Sequence, residues 1–347
     1  IIMSLLNWGL GLVFGAILSR KVGEHALKKN INLNYPLIGA AGYSGLMVWH
    51  GGISGSIPLK ISEKDHFSEI IINQSLLNKL PENGISFEST IFSNMNITVT
   101  ILLLTIIPLV LFYIGNKNPH GKKFRFKKNE HKENLSKKIL GAEKIDYSNW
   151  FSKLIGISII CIVLKQALTA DSLSFINPNF VNLSLFGLAI FAHKNLHEFL
   201  ISINKAITSA SGILIQFPLY FGIMGIMNSS GLVDIFSNFF VSISNENTYP
   251  IFTMISGGLV NIFVPSGGGQ WAVQGPILLQ SAIDLDLSLP KNIMALAYGD
   301  QLTNMLQPFW ALPLLGITQL AAKDILPYTI LIMLIGICIF SSCLLLF

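Results

Sequence analysis

The chain contains repeated apolar runs that approach or exceed the length needed to cross a lipid bilayer. About 20 residues of helix are required for one crossing. Of the 347 residues, 51% are hydrophobic and only 12% are charged, against roughly 25% charged residues in a soluble globular domain. The runs lack the weak ten-residue alternation that is typical of outer-membrane barrels. The sequence therefore predicts an all-α integral membrane protein.

One pair of apolar runs is too short for separate crossings. The candidate membrane segments are 1–19, 36–60, 96–114, 151–170, 178–193, 206–227, 250–264, 271–283, 292–318 and 325–347. Segments 250–264 and 271–283 are each shorter than the bilayer requires and are joined only by a glycine-rich tip. We therefore predict that residues 250–283 form a re-entrant helical hairpin. Residues 232–243 are predicted to form a short interfacial helix.

The distribution of charge predicts the orientation of the chain. Residues 115–149 contain ten Lys or Arg against four Asp or Glu, and residues 20–35 contain four basic residues against one acid. Positively charged connections stay in the cytoplasm, so both are assigned there, whereas the acid-rich connection 61–95 is assigned outside. The remaining connections then alternate, with 171–177, 228–249 and 284–291 outside and 194–205 and 319–324 inside. Because the basic residues lie in connections, nucleic acid is not expected as a partner.

Two parts of the chain resemble each other. The run "LLNWGLGLVFG" near the start is similar to "LVNIFVPSGGG". Asn7 precedes Tyr43 by 36 residues, Asn261 precedes Tyr298 by 37, and each Tyr precedes a Pro-Leu pair by 15. The assigned orientation makes the copies run in opposite directions, and inverted repeats are a transporter signature. We predict a first repeat at 1–114, a basic cytoplasmic connector at 115–149 and a second repeat at 150–347. Chance similarity between apolar sequences is the alternative.

Each copy continues into a helix that the sequence predicts to be broken. The two stretches are "YSGLMVWHGGISGSIPL" at 43–59 and "YGDQLTNMLQPFWALPL" at 298–314. Glycine and proline disfavour an unbroken helix through the bilayer. The residues predicted to interrupt the two helices are Gly51, Gly52, Gly55 and Pro58 in the first and Pro308 and Pro313 in the second.

Broken helices and a glycine tip at membrane depth predict a binding site. Unpaired backbone groups are tolerated there only if they are buried in protein or line a polar cavity. Glycines let a ligand approach the backbone, and the N-terminus of the second hairpin arm favours an anion. We expect residues 266–270 to lie close to residues 7–11. The candidate substrate-binding residues are Asn7, Trp8, Gly9, His50, Gly51, Gly52, Ser54, Asn261, Ser266, Gly267, Gly268, Gly269, Gln270, Asn304 and Gln307.

Asp300 is the candidate ion-coupling residue. It is the only carboxylate well inside a predicted core segment near the second break, and a charge inside the membrane indicates function. It stands one helical turn before Asn304 and two before Gln307, which predicts one polar face. A structural hydrogen-bond partner or an interfacial position is the alternative. His50, beside the first break, belongs to a residue type that can titrate near neutral pH, and a neutral hydrogen-bonded role is its alternative.

The sequence gives no indication of enzymatic chemistry. Cys161, Cys338 and Cys343 lie in apolar runs without CxxC spacing, so neither a metal nor a redox site is expected. The sequence contains no GxSxG, Walker A or HExxH pattern, which leaves hydrolase and ATPase functions without support. We therefore expect no cofactor and transport that is driven by gradients, with Na⁺ or H⁺ as the coupling ion. The first residues carry no initiator Met, and we expect the chain to begin partway through a longer protein.

Three motifs resemble a known family. The stretches "NIFVPSGGGQWAVQGP", "WHGGISGSIPL" and "QPFWALPLLGI" are similar to the bacterial short-chain fatty acid transporter family (AtoE type), and the resemblance covers essentially the whole chain. It implies uptake of anions such as butyrate or acetoacetate by a multi-pass protein of the bacterial cytoplasmic (inner) membrane. It also implies a place in the ion transporter superfamily, whose members have inverted repeats with re-entrant hairpins. Family members are longer at the N-terminus, so the first arm of the first hairpin is expected to be missing here.

Several functional alternatives stay open from the sequence. The nearest is a cation/proton antiporter, which Asp300 favours, and another is a transporter of a different small organic anion. A channel would need a continuous polar pore, and a membrane enzyme would chemically change its substrate. The sequence leaves the exact acid and the choice between Na⁺ and H⁺ undecided. A homodimer is an open alternative to a monomer.

Overall fold

The architecture is helical throughout the part of the chain that the structure describes. This computed structural model describes residues 1–71, 73–119, 124, 126, 141–170, 175 and 178–347. Within these residues the elements are α-helices and short 3-10 turns, and none is a strand. The chain divides into two compact units, one formed by residues 1–124 and 212–347 and the other by residues 125–211. The predicted all-α fold is confirmed.

The helices are numbered in chain order. The first seven are α1 (Ile2–Leu6), α2 (Trp8–Lys29), α3 (Tyr35–Tyr43), α4 (Ser56–Ile61), α5 (His66–Ile70), α6 (Gln74–Leu77) and α7 (Asn94–Lys117). They are followed by α8 (Glu143–Asp146), α9 (Asn149–Leu168), α10 (Pro178–Ala192), α11 (Leu196–Ser229) and α12 (Leu232–Ser242). The last five are α13 (Tyr249–Phe263), α14 (Gly267–Asp284), α15 (Leu289–Thr303), α16 (Pro308–Thr318) and α17 (Ala322–Leu346).

Polar side chains fix where many of these helices begin. A helix leaves its first backbone N–H groups without an intrahelical acceptor, and an Asn or Ser just before the helix can accept from one of them. Such caps precede α2, α3, α7, α9 and α14. The capping residues are Asn7, Asn34, Ser93, Ser148 and Ser266.

Among the residues that the structure describes, three helices are long and apolar enough to cross a membrane. They are α7, α9 and α17. Shorter apolar helical stretches lie at Asn182–Ala192, Tyr249–Phe263 and Phe309–Thr318. This composition fits the predicted membrane protein.

Two predicted connections are wrong, because helices run through them. The segment predicted at 206–227 is part of α11, which begins at Leu196, so residues 196–205 are helical rather than a connection. Asn195 Oδ1 accepts from Glu198 N at 2.9 Å and starts this helix. Likewise α2 extends to Lys29 through most of the predicted connection 20–35. The Arg20–Glu24 pair, 2.8 Å apart and one turn along the helix, supports that extension.

Other predictions differ from the structure in smaller ways or concern residues outside the described ones. The segment predicted at 1–19 is two helices, because Asn7 is extended (φ −156°, ψ 125°) and separates α1 from α2. Residues 232–242 form the helix α12 that was predicted at 232–243. Most of the basic connector 115–149 lies outside the described residues, as does the connection 171–177 except for Phe175.

Both predicted helix interruptions are present in the structure. After α3 the chain forms 3-10 turns at Ser44–Met47 and Trp49–Gly51 before α4 begins. After α15 it forms a 3-10 turn at Asn304–Leu306 before α16 begins. We call residues 44–55 the first break and residues 304–307 the second break.

The prolines contribute to these breaks less than predicted. Pro58 is the third residue of α4, where a missing N–H costs no intrahelical bond. Pro313 lies inside α16 rather than at the break. Pro308 is the first residue of α16, which is a favoured position for proline.

A tyrosine from each half of the chain supports the break in the other half. The Tyr43 hydroxyl donates to the carbonyl oxygens of Asn304, at 2.7 Å, and Gln307, at 3.3 Å. The Tyr298 hydroxyl donates to Asn96 Oδ1 at 3.0 Å, and Asn96 Nδ2 donates to the Gly51 carbonyl at 2.9 Å. These side chains thereby add hydrogen bonds to carbonyls of the 3-10 turns, where the Asn304 carbonyl also accepts from the Gln307 N–H at 3.2 Å.

We expect Tyr43→Phe to destabilise the second break. The hydroxyl is buried with its two acceptors. Its removal takes a hydrogen bond from the Gln307 carbonyl and leaves the Asn304 carbonyl with the Gln307 N–H at 3.2 Å, at a cost of about 1–3 kcal/mol. The measurement is the thermal unfolding midpoint of the purified protein, which we expect to fall by several degrees. Tyr113→Phe is the matched control, since Tyr113 is 65% exposed on α7 and its loss of a hydroxyl should change nothing. Equal midpoints for both variants would contradict this account of the break.

Glycines allow the closest helix contacts near each break. A Cβ atom at Gly15 of α2 would lie 2.2 Å from the carbonyl oxygen of Gly42 in α3. In the second half, a Cβ at Gly299 of α15 would lie 2.1 Å from the carbonyl oxygen of Met254 in α13. Small residues of this kind let helix backbones meet in a membrane protein. The two helices that lead into the breaks, α3 and α15, are therefore packed tightly against α2 and α13.

Candidate functional site

A buried histidine–carboxylate pair joins the two breaks. His50 of the first break lies with Nε2 3.0 Å from Oδ1 of Asp300, which stands one turn before the second break. Both side chains are almost completely buried. The His50 backbone N–H donates to Gln301 Oε1 at 3.0 Å, and the Trp49 ring lies 3.7 Å from the imidazole between centroids. His50 and Asp300, the two titratable residues considered from the sequence, therefore contact each other directly.

The glycine run starts a helix and is not the loop of the hairpin. The connection between α13 and α14 is Val264–Ser266, and α14 begins at Gly267. Ser266 Oγ accepts from Gly269 N at 3.3 Å. The N–H groups of Gly267 and Gly268 lie in the first turn of α14, where no carbonyl of the helix can accept from them. The tip therefore presents two backbone donors and the positive end of the α14 dipole.

The first two glycines of α14 have different surroundings. A Cβ at Gly267 would lie 2.7 Å from His50 Cε1 and 2.8 Å from His50 Nε2, with Trp49 Cη2 at 3.3 Å. A Cβ at Gly268 would meet no heavy atom within 4 Å. Gly268 lies in the first turn of α14, and its φ is not positive. Gly267 packs against the His50–Asp300 pair, and Gly268 faces open space.

Asn261 connects the hairpin to the second break. Its Nδ2 lies 2.7 Å from the Asp300 carbonyl oxygen, 2.9 Å from Thr303 Oγ1 and 3.0 Å from Asn304 Oδ1. Gln307 Nε2 donates to the Asn261 carbonyl oxygen at 2.5 Å. The predicted single helical face of Asp300, Asn304 and Gln307 is wrong, because α15 ends at Thr303. The three residues are instead brought together around Asn261.

The N-terminus of α2 and the N-terminus of α14 both lie beside the first break. Asn7 Oδ1 accepts from Leu10 N at 2.8 Å, and the Trp8 N–H donates to Ser54 Oγ at 3.0 Å. The Trp8 and Trp49 rings are 6.1 Å apart between centroids. Trp49 therefore contacts elements of both tips, as expected from the predicted proximity of residues 7–11 and 266–270. A Cβ at Gly9 would lie 3.4 Å from Asn7 Oδ1, an ordinary contact.

Some predicted site residues have packing contacts instead. Gln270 Nε2 donates to the Gly257 carbonyl oxygen at 2.8 Å and to Gln274 Oε1 at 2.7 Å, so this side chain joins α14 to α13. A Cβ at Gly51 would lie 2.6 Å from Asn96 Oδ1, and one at Gly52 would lie 2.4 Å from the carbonyl oxygen of Leu5. These glycines allow close packing of the first break.

Several buried polar atoms around the pair have no hydrogen-bond partner within the described residues. Each such atom is costly to leave unsatisfied. The set includes possible donors and acceptors, so it suits a ligand that is charged and also forms hydrogen bonds. The atoms are Trp49 Nε1, His50 Nδ1, Asp300 Oδ2, Asn261 Oδ1 and Gln307 Oε1. The described residues contain no group of three His, Cys, Asp or Glu side chains that could hold a metal ion.

Two residues that matter for this geometry were missed from the sequence. Gln301 fixes the His50 backbone, and Asn96 links Tyr298 to Gly51. Each is an amide side chain inside an otherwise apolar segment, which is the signal that could have identified it, because a buried amide requires partners.

Comparison with known proteins gives one consistent family. A family profile described as "Short chain fatty acid transporter" matches residues 1–347. A relative from Escherichia coli strain K12 named "Putative short-chain fatty acid transporter" is 34% identical over 329 residues, covering 94% of this chain and 71% of that protein. A relative of the same name from Haemophilus influenzae is 33% identical over 332 residues, covering 94% and 72%. No solved structure matches the chain.

Proposed function

The chain belongs to the short-chain fatty acid transporter family, and from this we propose that it carries short-chain fatty acid anions across the bacterial cytoplasmic membrane. The family is a transporter family and not an enzyme family. We further propose that butyrate and acetoacetate are among the substrates and that an ion gradient drives their uptake. The observation that carries the proposal is the N-terminus of α14, which faces open space at Gly268 beside the buried His50–Asp300 pair.

The carboxylate of the substrate is proposed to bind at the α14 tip. The N–H groups of Gly267 and Gly268 and the helix dipole attract an anion without a fixed positive charge. The Trp49 ring lies close to Gly267 through its Cη2 atom, and its buried Nε1 is a donor with no hydrogen-bond partner among the described residues. A substrate with a single carboxylate needs few charged partners, and its short tail needs only a small apolar pocket. None of the buried polar side chains in the described part of the chain is a Lys or Arg that could bind a second carboxylate, which favours a monocarboxylate over a dicarboxylate.

The His50–Asp300 pair is the proposed coupling element. A carboxylate buried in a membrane protein is costly unless it is paired or holds an ion. Asp300 Oδ1 faces His50, whereas Oδ2 is buried and has no hydrogen-bond partner among the described residues. A proton bound by the pair, or a sodium ion bound at the free carboxylate oxygen, would change the charge beside the α14 tip. Binding of the anion and of the cation would then favour each other.

The two breaks and two tips are proposed to come from inverted repeats. α1 and α2 around Asn7 would be the counterpart of α13 and α14, and the breaks would be counterparts of each other. The exchanged contacts of Tyr43 and Tyr298 support this arrangement, because the two tyrosines were aligned from sequence spacing. We propose that the hairpin α13–α14 is re-entrant, since each arm is short for a crossing. Broken helices at the repeat interface hold the substrate in many transporters.

Counterflow in proteoliposomes tests the proposed function. Vesicles loaded with unlabelled butyrate should transiently accumulate labelled butyrate, and acetoacetate should compete for the exchange. Succinate, a dicarboxylate, and butanol, which lacks the carboxylate, should not compete. The control is protein-free vesicles of the same lipid, which measure passive leak. Saturable counterflow with this selectivity is the expected result, and labelled acid that crosses only at the leak rate would contradict the proposal.

A cation/proton antiporter is the second candidate, because the buried His50–Asp300 pair alone could carry a proton. It predicts that sodium or potassium flux moves protons in vesicles without any organic acid. Transport of short-chain acids predicts that the proton or sodium flux begins only when the acid is added. A fluorescent pH indicator inside the vesicles distinguishes the two functions.

A further inference from the structure

A second buried histidine contacts α14 one turn beyond its glycine tip. His66 starts the short helix α5 and is 5% exposed, and Trp271 on α14 is 1% exposed. Trp271 Nε1 donates to His66 Nε2 at 2.9 Å, and His66 Nδ1 lies 3.2 Å from Glu69 Oε2. This hydrogen bond links the 61–95 connection to the helix whose first turn is the proposed substrate site, beside apolar contacts in the same buried cluster.

The chemistry of the partners fixes the protonation state of His66. A tryptophan indole nitrogen is only a donor, so His66 Nε2 must carry a lone pair. The imidazole is therefore neutral with its proton on Nδ1, which donates to the Glu69 carboxylate. A second proton on Nε2 would place two N–H groups face to face and remove the bond. The Trp271 N–H, buried under α5, would then have no acceptor.

Trp271 is well placed to transmit that loss to the glycine tip. Its ring packs on its own helix, since a Cβ at Gly275 would lie 3.0 Å from two ring carbons. Trp271 is four residues from Gly267, which contacts His50, and five from Ser266, which caps the helix. Trp271 therefore lies about one helical turn from the two residues that form the tip.

We propose that His66 is a positioning residue that holds the α14 tip in place only while its imidazole is neutral. This inference rests on the proposed function for its transport consequence, but the link itself does not. When protons bind His66, the indole is released and the tip loses its fixed position against His50. Acidification on the side where α5 lies then slows transport, independently of the ion that drives it.

The titratable groups of α4 and α14, two helices that contact α5, have partners of their own. Lys60 on α4 is paired with Glu63 at 2.8 Å, and Asp284 at the far end of α14 accepts from Gln280 at 2.7 Å. On α5 itself the groups are Asp65, at the start of the helix, and Glu69, whose side chain is 67% exposed. Because Glu69 is largely in solvent, its attraction for a charged imidazole is weak and does not replace the lost indole bond.

His66→Gln is the variant that separates positioning from titration. A glutamine offers an amide oxygen to Trp271 Nε1 but does not titrate, whereas His66→Leu removes the acceptor at every pH. Butyrate counterflow is measured with equal pH on both sides, at about pH 8 and at about pH 5.5, which bracket the range in which histidine titrates. We expect wild-type counterflow to fall about tenfold at the lower pH, His66→Gln to stay active at both, and His66→Leu to be about tenfold slow at both.

A measurement without substrate keeps this inference separate from the proposed function. Gly268 is replaced by cysteine in a background that lacks Cys161, Cys338 and Cys343, and the rate of labelling by a small thiol reagent is recorded. The ratio of rates between the His66 and His66→Gln proteins cancels the ionisation of the thiol itself. We expect that ratio to be near one at about pH 8 and to rise severalfold at about pH 5.5. A ratio that does not change with pH, or a His66→Gln protein with the wild-type pH profile, would overturn the proposal whether or not butyrate is transported.

Discussion

Replacing Asp300 by Asn is expected to abolish accumulation of substrate while leaving exchange. The amide keeps the size of the carboxylate and can still accept from His50 through its oxygen, so the packing between the two breaks is preserved. It cannot ionise, and it therefore cannot exchange a proton or bind a cation with the same strength. With the membrane potential clamped to zero, labelled butyrate should reach equal concentrations on both sides in the mutant and be concentrated by the wild type.

The comparison identifies the coupling ion as well. Uphill uptake is measured under an imposed proton gradient and, separately, under an imposed sodium gradient, with counterflow recorded in the same vesicles. The gradient that drives the wild type and fails to drive the mutant names the ion. Asp284→Asn is the matched control, because it makes the same change at an exposed carboxylate at the end of α14. Accumulation by Asp300→Asn at the wild-type level under both gradients would assign this residue a structural role only.

The second large effect is expected at Gly267. An alanine methyl group there would lie 2.7 Å from the His50 ring, a distance that real side chains do not tolerate, so the imidazole must move away from Asp300. A displacement of about 1 Å in a functional group can cost about a hundredfold in rate, and we expect initial butyrate uptake to fall by tenfold to a hundredfold. Accumulation should be lost together with the rate.

Gly268→Ala is the control for this prediction. The same methyl group one residue later meets no atom within 4 Å, so the His50–Asp300 pair should be undisturbed. If the substrate carboxylate lies there, the added methyl group raises KM severalfold and leaves the maximal rate and the coupling largely intact. Equal losses in Gly267→Ala and Gly268→Ala, or wild-type uptake in Gly267→Ala, would show that contact with His50 is not required.

The parts of the fold that follow from local rules were predictable from the sequence. Apolar runs of bilayer length predicted the helical membrane protein, and the glycine-rich stretch after Trp49 predicted the first break. Helix ends that contain polar residues were harder to predict. Residues 196–205 look like a polar connection, but Asn195 caps a helix that continues through them. Helix boundaries depend on such capping bonds, which one side chain can move by several residues.

The residue types of the site could be predicted from the sequence, but the contacts between those residues could not. Asp300 was singled out because a charge in a membrane is costly, and His50 because it lies beside the first break and belongs to a residue type that can titrate near neutral pH. The two residues are 250 positions apart, and no local pattern predicts their contact. The polar face expected of Asp300, Asn304 and Gln307 assumed a continuous helix, and the break after Thr303 replaced it with a cluster around Asn261. Tertiary contacts decide these details, since both halves of the chain supply the partners.

Equilibrium binding of labelled butyrate to the purified protein tests the central claim, that the substrate carboxylate lies at the first turn of α14. Wild type and Gly268→Val are compared, since the valine side chain would fill the open space beside the Gly267 and Gly268 N–H groups. Thermal unfolding and far-ultraviolet circular dichroism confirm that the variant is folded. We expect saturable binding by the wild type, competition by acetoacetate, and no detectable binding by Gly268→Val. Butyrate binding of unchanged affinity in folded Gly268→Val would contradict the claim.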